Sequence, residues 1–337
     1  MSLWEIALYE SNRMVVQARV VNAKRYVEIN TYEQLRELDE DSNTLNTDIM
    51  NIIVQALDVK ITNITDIIVL KKGMTNRSFL FRCGGRKYIM RIPGEGTDKL
   101  INRREEAEVY EVLRGRGICD DIAYINAQNG YKITEFLEGA RVCNADSEED
   151  IKVCMKKLRE FHDQKLIVGH EFDIFKQIEF YESLWGDKTS IYRDYENTKK
   201  NVFLLKKYID TVKKEKCLTH IDAVPDNFLF TTDGTVRLID WEYAGMQDPH
   251  VDIAMFCIYS LYDREQIDKL IDIYFEGNCP MEIRIKIYSY IAACGLLWSN
   301  WCEYKRNLGV EFGEYSLRQY RYAKEYYKIV NDELGGL

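Results

Sequence analysis

The stretch "LTHIDAVPDNFLFTTDGTVRLIDWE", residues 218–242, constrains the fold more than any other part of the chain. Two short apolar runs, "NFLF" and "VRLID", flank Asp233-Gly234, and this pattern predicts a β-hairpin. Polar side chains gather at its two ends, with His220, Asp222 and Asn227 before it and Asp240 and Glu242 after it. Helical patterns surround the segment, so a hairpin set among helices would project both ends into a cleft. The spacing His-x-Asp-x4-Asn, followed 13 residues later by Asp240, argues for a chemical device over a solvated loop.

Phosphoryl transfer suits these residue types. It needs Mg2+ on hard oxygen ligands, an acceptor hydroxyl aimed at the γ-phosphorus, and cations on the phosphates. Asp222 is placed to orient or deprotonate the hydroxyl, Asn227 and Asp240 to ligate magnesium, and His220 to hold the loop by hydrogen bonding. Asp252, in "HVDIA", reads as a scaffold residue bracing that loop, and His162, His170 and His250 read as structural.

The segment from about 49 to 137 reads as strands. "IIVLKKG", "SFLFRCGG" and "KYIMRIPG" are rich in β-branched and aromatic residues, and Gly84-Gly85 supplies a tight turn. A helix over "KLINRREEAEVYEVLRGRG" follows, then strands "IAYINA" and "GYKITEFLEG" around Asn129-Gly130. The order β-β-β-α-β-β predicts a small lobe of five antiparallel strands and one helix. Between its first two strands, Thr75, Asn76 and Ser78 with their backbone N–H groups are candidates to cover a triphosphate. Arg91 offers a cation to the α and β phosphates, and Glu106 is placed to fix its rotamer, with Glu105 as the rival. Glu135, Phe136 and Leu137 fall at the junction to the next lobe, where backbone groups would meet an adenine edge. No G-x-x-x-x-G-K-[ST] occurs, and Gly94-Glu95-Gly96 lacks a third glycine, which excludes a P-loop and a dinucleotide fingerprint.

After Gly139 the chain turns helical. Ser147 predicts an N-cap for "SEEDIKVCMKKLREFHDQ", two helices lie between 172 and 216, and the last 55 residues read as long helices. The expected architecture is therefore α+β and bilobal: an N-terminal appendage at 1–48, a nucleotide lobe at 49–137, and a larger, mainly helical lobe at 138–337 carrying the hairpin.

Composition limits the partners. A net charge of −9 gives no field for nucleic acid or anionic lipid. Nine scattered cysteines without a C-x-x-C pair suit reduced thiols in a cytoplasm, and "MSLWEIALYE" has no signal-peptide pattern. No run of 18 uncharged apolar residues occurs, so no membrane span is expected.

Four phrases carry a resemblance over residues 50–332: "GMTNRSF", "YIMRIPGEGT" with "LINRREE", "THIDAVPDNF", and "RLIDWEYAGMQDPHVDIA". The chain resembles the bacterial LicA-like choline/ethanolamine kinases, within the aminoglycoside-phosphotransferase and protein-kinase-like superfamily. The resemblance implies a protein-kinase-like fold, ATP as co-substrate, Mg2+, and choline or a similar amino alcohol as acceptor. It gives Arg91, Glu106, Asp222, Asn227 and Asp240 the roles argued above, and it places Glu242 near the amino alcohol. A quaternary ammonium has no hydrogen to donate, so aromatic faces and a carboxylate must hold it. Trp298 and Trp301 lie three apart in "LLWSNWCEY", with Phe312, Tyr315 and Tyr320 following. A pair at helical spacing is more often core than ligand box, but beside Glu242 and the family phrases the box is the better reading. Ethanolamine or an aminoglycoside as acceptor, and a silent pseudokinase, are the alternatives. "YVEINTYEQLRELDE" resembles the closing strand and helix of nucleotidyltransferases; this leaves open a fusion to a cytidylyltransferase domain and, equally, a helical arm packed on the main body.

Overall fold

The structure, a computed structural model, describes residues 48–70, 76–94, 97 and 100–336. The expected appendage lies outside these residues apart from Asp48, and so does Thr75.

The smaller lobe opens on helix α1 (Asp48–Leu57), which the strand-like "NIIV" concealed. Met50 and Ile53 sit on its buried side and pack with Ile64, Phe81, Met90 and Ile133. The five strands are β1 (Thr65–Val69), β2 (Asn76–Cys83), β3 (Arg86–Pro93), β4 (Ile122–Ile125) and β5 (Lys132–Glu135). They pair antiparallel in the order β1-β2-β3-β5-β4. Gly84 and Gly85 make the β2–β3 turn with φ of +56° and +79°, a conformation that costs glycine little. Because side chains alternate along a strand, the register sends two sets to opposite faces. Phe79, Met90 and Ile133 form one cross-strand row, on the face where Met90 and Ile133 join the α1 core. Ser78, Arg91 and Lys132 form the next row, and all three line a cleft on the other face.

Helix α2 (Arg103–Leu113) starts later than the pattern predicted, because the Asn102 side chain caps it by accepting from the Arg104 and Glu105 amides. It carries Glu106 beneath the sheet. The lobe therefore holds two helices where one was expected.

The larger lobe is mainly helical: α3 (Glu148–His162), α4 (Ile174–Ser183), α5 (Tyr195–Thr211), α6 (His250–Tyr259), α7 (Arg264–Tyr274), α8 (Met281–Asn307) and α9 (Glu314–Glu333). Ser147 caps α3 as expected, accepting from the Asp150 amide. Helix α8 is buried along most of its length, packed against α4, α5, α6 and α9. At Gly295 a Cβ would come within 2.7 Å of the Gln319 carbonyl, so α8 and α9 approach there as closely as backbones allow. Short strands thread this lobe. The hairpin β8 (Phe228–Phe230) and β9 (Val236–Leu238) gains a third strand, β6 (Arg141–Val142), while β7 (Cys217–Thr219) pairs with β10 (Gly245–Gln247). The turn at Asp233-Gly234 is the one the pattern predicted, with Gly234 at φ +81°. Among the described residues no helix is long and apolar enough to cross a membrane.

Candidate active site

Strand β7 delivers the chain into the loop at 220–224, and a 3-10 turn over Pro225–Asn227 returns it to β8. One buried side chain fixes this loop. Asp252, in the first turn of α6, accepts from the His220 amide at 2.9 Å and the Ile221 amide at 2.7 Å, and lies 3.0 Å from His162 Nε2. The fixation is needed because Ile221 has φ of +70°, a conformation that costs a β-branched residue on the order of 1–3 kcal/mol. Asp240, at the far end of the hairpin, also has a positive φ, +64°. His220 has its pKa pushed down to about 4 by burial, so its ring is neutral, and Nε2 donates to the Ile239 carbonyl at 2.9 Å. It ties the loop to the far end of the hairpin.

Asp222 is thereby brought against Asn227, whose Nδ2 donates to the Asp222 carbonyl at 2.8 Å and to Oδ2 at 3.2 Å. That leaves Asn227 Oδ1 as the atom a cation would take. Burial, with Asp240 and Glu242 close by, pushes the Asp222 carboxyl up to about 8. Asp240 and Glu242 are raised too, chiefly by burial and against the pull of Arg91 on each. Three carboxylates crowd together in the cleft, so a metal cation there would relieve their mutual repulsion. Among the described residues no three His, Cys, Asp or Glu side chains form a cage by themselves. One or two carboxylates, an amide oxygen and substrate phosphates are what Mg2+ takes, and Asp240 with Asn227 fits that donor set.

The sheet supplies the opposite charge. Arg91 and Glu106 are both buried and meet in a two-pronged ion pair, with Nη2 to Oε2 at 2.8 Å and a second contact between Nη1 and Oε1. Glu106, and not Glu105, is the partner. Burial works to raise the Glu106 carboxyl, but Arg91 and Lys132 outweigh it and hold it down at about 2. Sequence reasoning missed three residues here. Lys132 lies buried beside Arg91 in the same cross-strand row, 3.7 Å from Glu106. Asp120 lines the cleft with a buried oxygen. Arg103 donates to Glu106 at 2.9 Å, to Glu242 at 3.1 Å and to Asn76 Oδ1 at 3.1 Å. A lysine within "GYKITEF" has no local mark of burial, and Arg103 is one of two adjacent arginines in the sequence.

Asn76 and Ser78 both line the cleft, as do Glu135, Phe136 and Leu137 at the lobe junction. Asn76, however, also bridges the lobes, donating to Glu242 at 3.0 Å. Glu242 is therefore committed to Asn76 and Arg103 across the lobe boundary.

The cleft continues, as one cavity of about 890 Å3, from the junction past Asp222 to an aromatic end. Trp298 and Trp301 sit edge to face with centroids 5.5 Å apart, Tyr243 packs on Trp298 at 5.7 Å, and Phe312 on Trp301 at 5.3 Å. Tyr315 also lines this end. Tyr320 does not: it is buried against α5, stacked on Tyr192 at 3.8 Å, with its hydroxyl bonded to Asp194 and Thr198. Trp301 already carries the Lys305 ammonium 5.3 Å from its centroid.

Comparison with known proteins agrees with this geometry. The sequence model of the family described as choline/ethanolamine kinase matches residues 67–274. Protein LicA of Haemophilus influenzae is 27% identical over 260 residues, spanning 73% of this chain and 76% of that protein. The solved structure of the choline kinase LicA from Streptococcus pneumoniae superposes with a TM-score of 0.72 at 28% identity, covering 84% of this chain and all of that one. A structure of LicA in complex with AMP gives 0.70 at 28% identity, over 85% of this chain and all of the other. With a bilobal fold, a carboxylate-rich loop facing a buried Arg–Glu pair, and a family match over most of its length, the chain belongs to the choline/ethanolamine kinase family, the ATP-dependent phosphotransferases that act on an alcohol.

Proposed function

We propose that this protein transfers the γ-phosphate of ATP to the hydroxyl of choline, with Mg2+. The observation that carries the reading is the single cavity. It joins a cationic end at Arg91 and Lys132 to an aromatic end at Trp298, Trp301 and Phe312, with Asp222 between them. The likeness to the choline kinase LicA supports the same acceptor.

In this reading the backbone of Glu135, Phe136 and Leu137 meets the adenine edge. Ser78, and Thr75 outside the described residues, cover the phosphates, while Arg91 and Lys132 balance their charge. Asn227 and Asp240 would hold Mg2+, which would supply positive charge to the phosphates. The raised affinity of Asp222 for a proton suits it to accept one from the choline hydroxyl as oxygen attacks phosphorus. Glu242 adds negative potential near the amino alcohol through a carboxylate already shared with Arg103 and Asn76. The tryptophans and Phe312 exclude water and present their faces to the methyl groups.

The test is ADP release with choline, ethanolamine and kanamycin as acceptors. Choline is expected to give the highest kcat/KM, and Asp222→Ala to lower turnover by about 10^2–10^4-fold. Choline-dependent turnover that survives Asp222→Ala, or none with any acceptor, overturns the proposal.

A further inference from the structure

Six carboxylates line the cavity: Asp120, Glu135, Asp222, Asp226, Asp240 and Glu242. Five of them have other calls on their charge. Asp120 lies near Lys132, which pulls against burial on its carboxyl. Glu135 lies 3.5 Å from Arg86. Asp222 and Asp240 belong to the proton and metal positions. Glu242 accepts from Arg103 and Asn76 and has Arg91 at 3.9 Å.

Asp226 is the remaining one. It occupies the middle of the Pro225–Asn227 turn, and no arginine or lysine among the described residues pairs with it. Its carboxylate is nevertheless fixed, because the Tyr259 hydroxyl donates to Oδ2 at 2.6 Å. Tyr259 ends α6, lines the same cavity, and packs edge-on against Tyr315 with centroids 6.2 Å apart. One hydrogen bond from an aromatic side chain thus holds a carboxylate beside the aromatic end of the cleft, where Lys305 already brings a positive charge to Trp301.

We infer that Asp226, held by Tyr259, is the counter-charge for the substrate's quaternary ammonium, with the Tyr259 ring completing the aromatic wall between Tyr315 and the catalytic loop. The inference rests on the choline reading above. It makes the pair a determinant of specificity for a cation over a neutral alcohol of the same shape. Glu242, held by the interlobe bonds, sets the general potential of the cleft, and Asp226 supplies the local charge.

The test compares choline with 3,3-dimethylbutan-1-ol, which replaces the ammonium nitrogen by carbon and keeps the size and the hydroxyl. In Asp226→Asn the amide oxygen still accepts from Tyr259, so the turn is kept while the charge is lost. Asp226 is solvent-exposed. A screened pair of this kind contributes up to about 1 kcal/mol. The ratio of kcat/KM for choline to that for the neutral analogue is therefore expected to fall by up to about five-fold in Asp226→Asn. Tyr259→Phe keeps the ring and frees the carboxylate, and is expected to lower the ratio by a smaller factor. Raising salt is expected to shrink the wild-type ratio towards that of Asp226→Asn. An unchanged ratio in Asp226→Asn, with both substrates affected equally, overturns the inference and leaves the choline reading standing. A wild-type protein that phosphorylates neither choline nor ethanolamine overturns the proposed function and this inference with it.

Discussion

At the residue scale the pair with most at stake is Arg91–Glu106. Both side chains are buried, and Glu106 alone faces Arg91, Arg103 and Lys132. Removing one partner of a buried pair leaves the others uncompensated in a medium that solvates them poorly. We expect Glu106→Ala to cost about 3–5 kcal/mol of unfolding free energy, read from urea titration. The KM for ATP should rise as well, because Arg91 loses the contact that fixes its fork. The sequence favoured Glu106 with Glu105 as its rival, and the structure pairs Glu106 with Arg91. The choice follows from helix phase, which the Asn102 cap sets and which buries Glu106. Asp222, Asn227 and Asp240 were legible because metal and proton chemistry demand those residue types at a fixed spacing. Lys132, Asp226 and Tyr259 were not, since their roles come from strand register and helix ends that no local pattern announces.

At the scale of elements, helix α8 presents Trp298 and Trp301 to the cavity while most of its length is buried against α4, α5, α6 and α9. A helix apolar on every side gives no amphipathic signal of which face meets ligand. On α9 both tyrosines are aromatic residues of one helix, and only the tertiary packing separates them: Tyr315 lines the cavity, while Tyr320 turns towards α5. Trp298→Leu keeps an apolar side chain and removes the π face. A cation–π contact is worth about 0.5–2 kcal/mol, so kcat/KM for choline should fall by roughly 2- to 30-fold. Ethanolamine, whose ammonium hydrogens can bond to acceptors, should be affected less. Parallel initial-rate measurements check this, and equal losses on the two substrates would argue against the tryptophan face as the methyl site.

At the scale of the whole molecule, burial of two histidines links stability to pH. His220 and His250 are both pushed down from an ordinary 6.5 to about 4, in each case chiefly by burial. Between those values the unfolded chain binds more protons than the folded one. Their contribution is therefore complete above about pH 6.5 and is lost as pH falls towards 4. Each histidine should cost about 1.4 kcal/mol per unit across that window. Urea midpoints measured from pH 7 to 4.5 should decline, with a shallower slope in His250→Gln; an equal slope in the variant would refute the assignment.

The sequence by itself determined the order of the five strands in the smaller lobe and the helix after the third, the hairpin of the larger lobe, and the spacing that marks Asp222, Asn227 and Asp240 as candidates. These depend on period, turn residues and fixed spacing, all of which are local. It concealed α1, because "NIIV" is as apolar and β-branched as a strand and only packing on Phe81, Met90 and Ile133 selects the helix. The tertiary structure alone decided where charge ends up. It placed Lys132 beside Arg91, drew Glu242 into a bridge with Arg103 and Asn76, and left Asp226 lining the cavity with its carboxylate bonded to the Tyr259 hydroxyl. Charges act through space, so partners distant in sequence settle which carboxylate remains for the substrate.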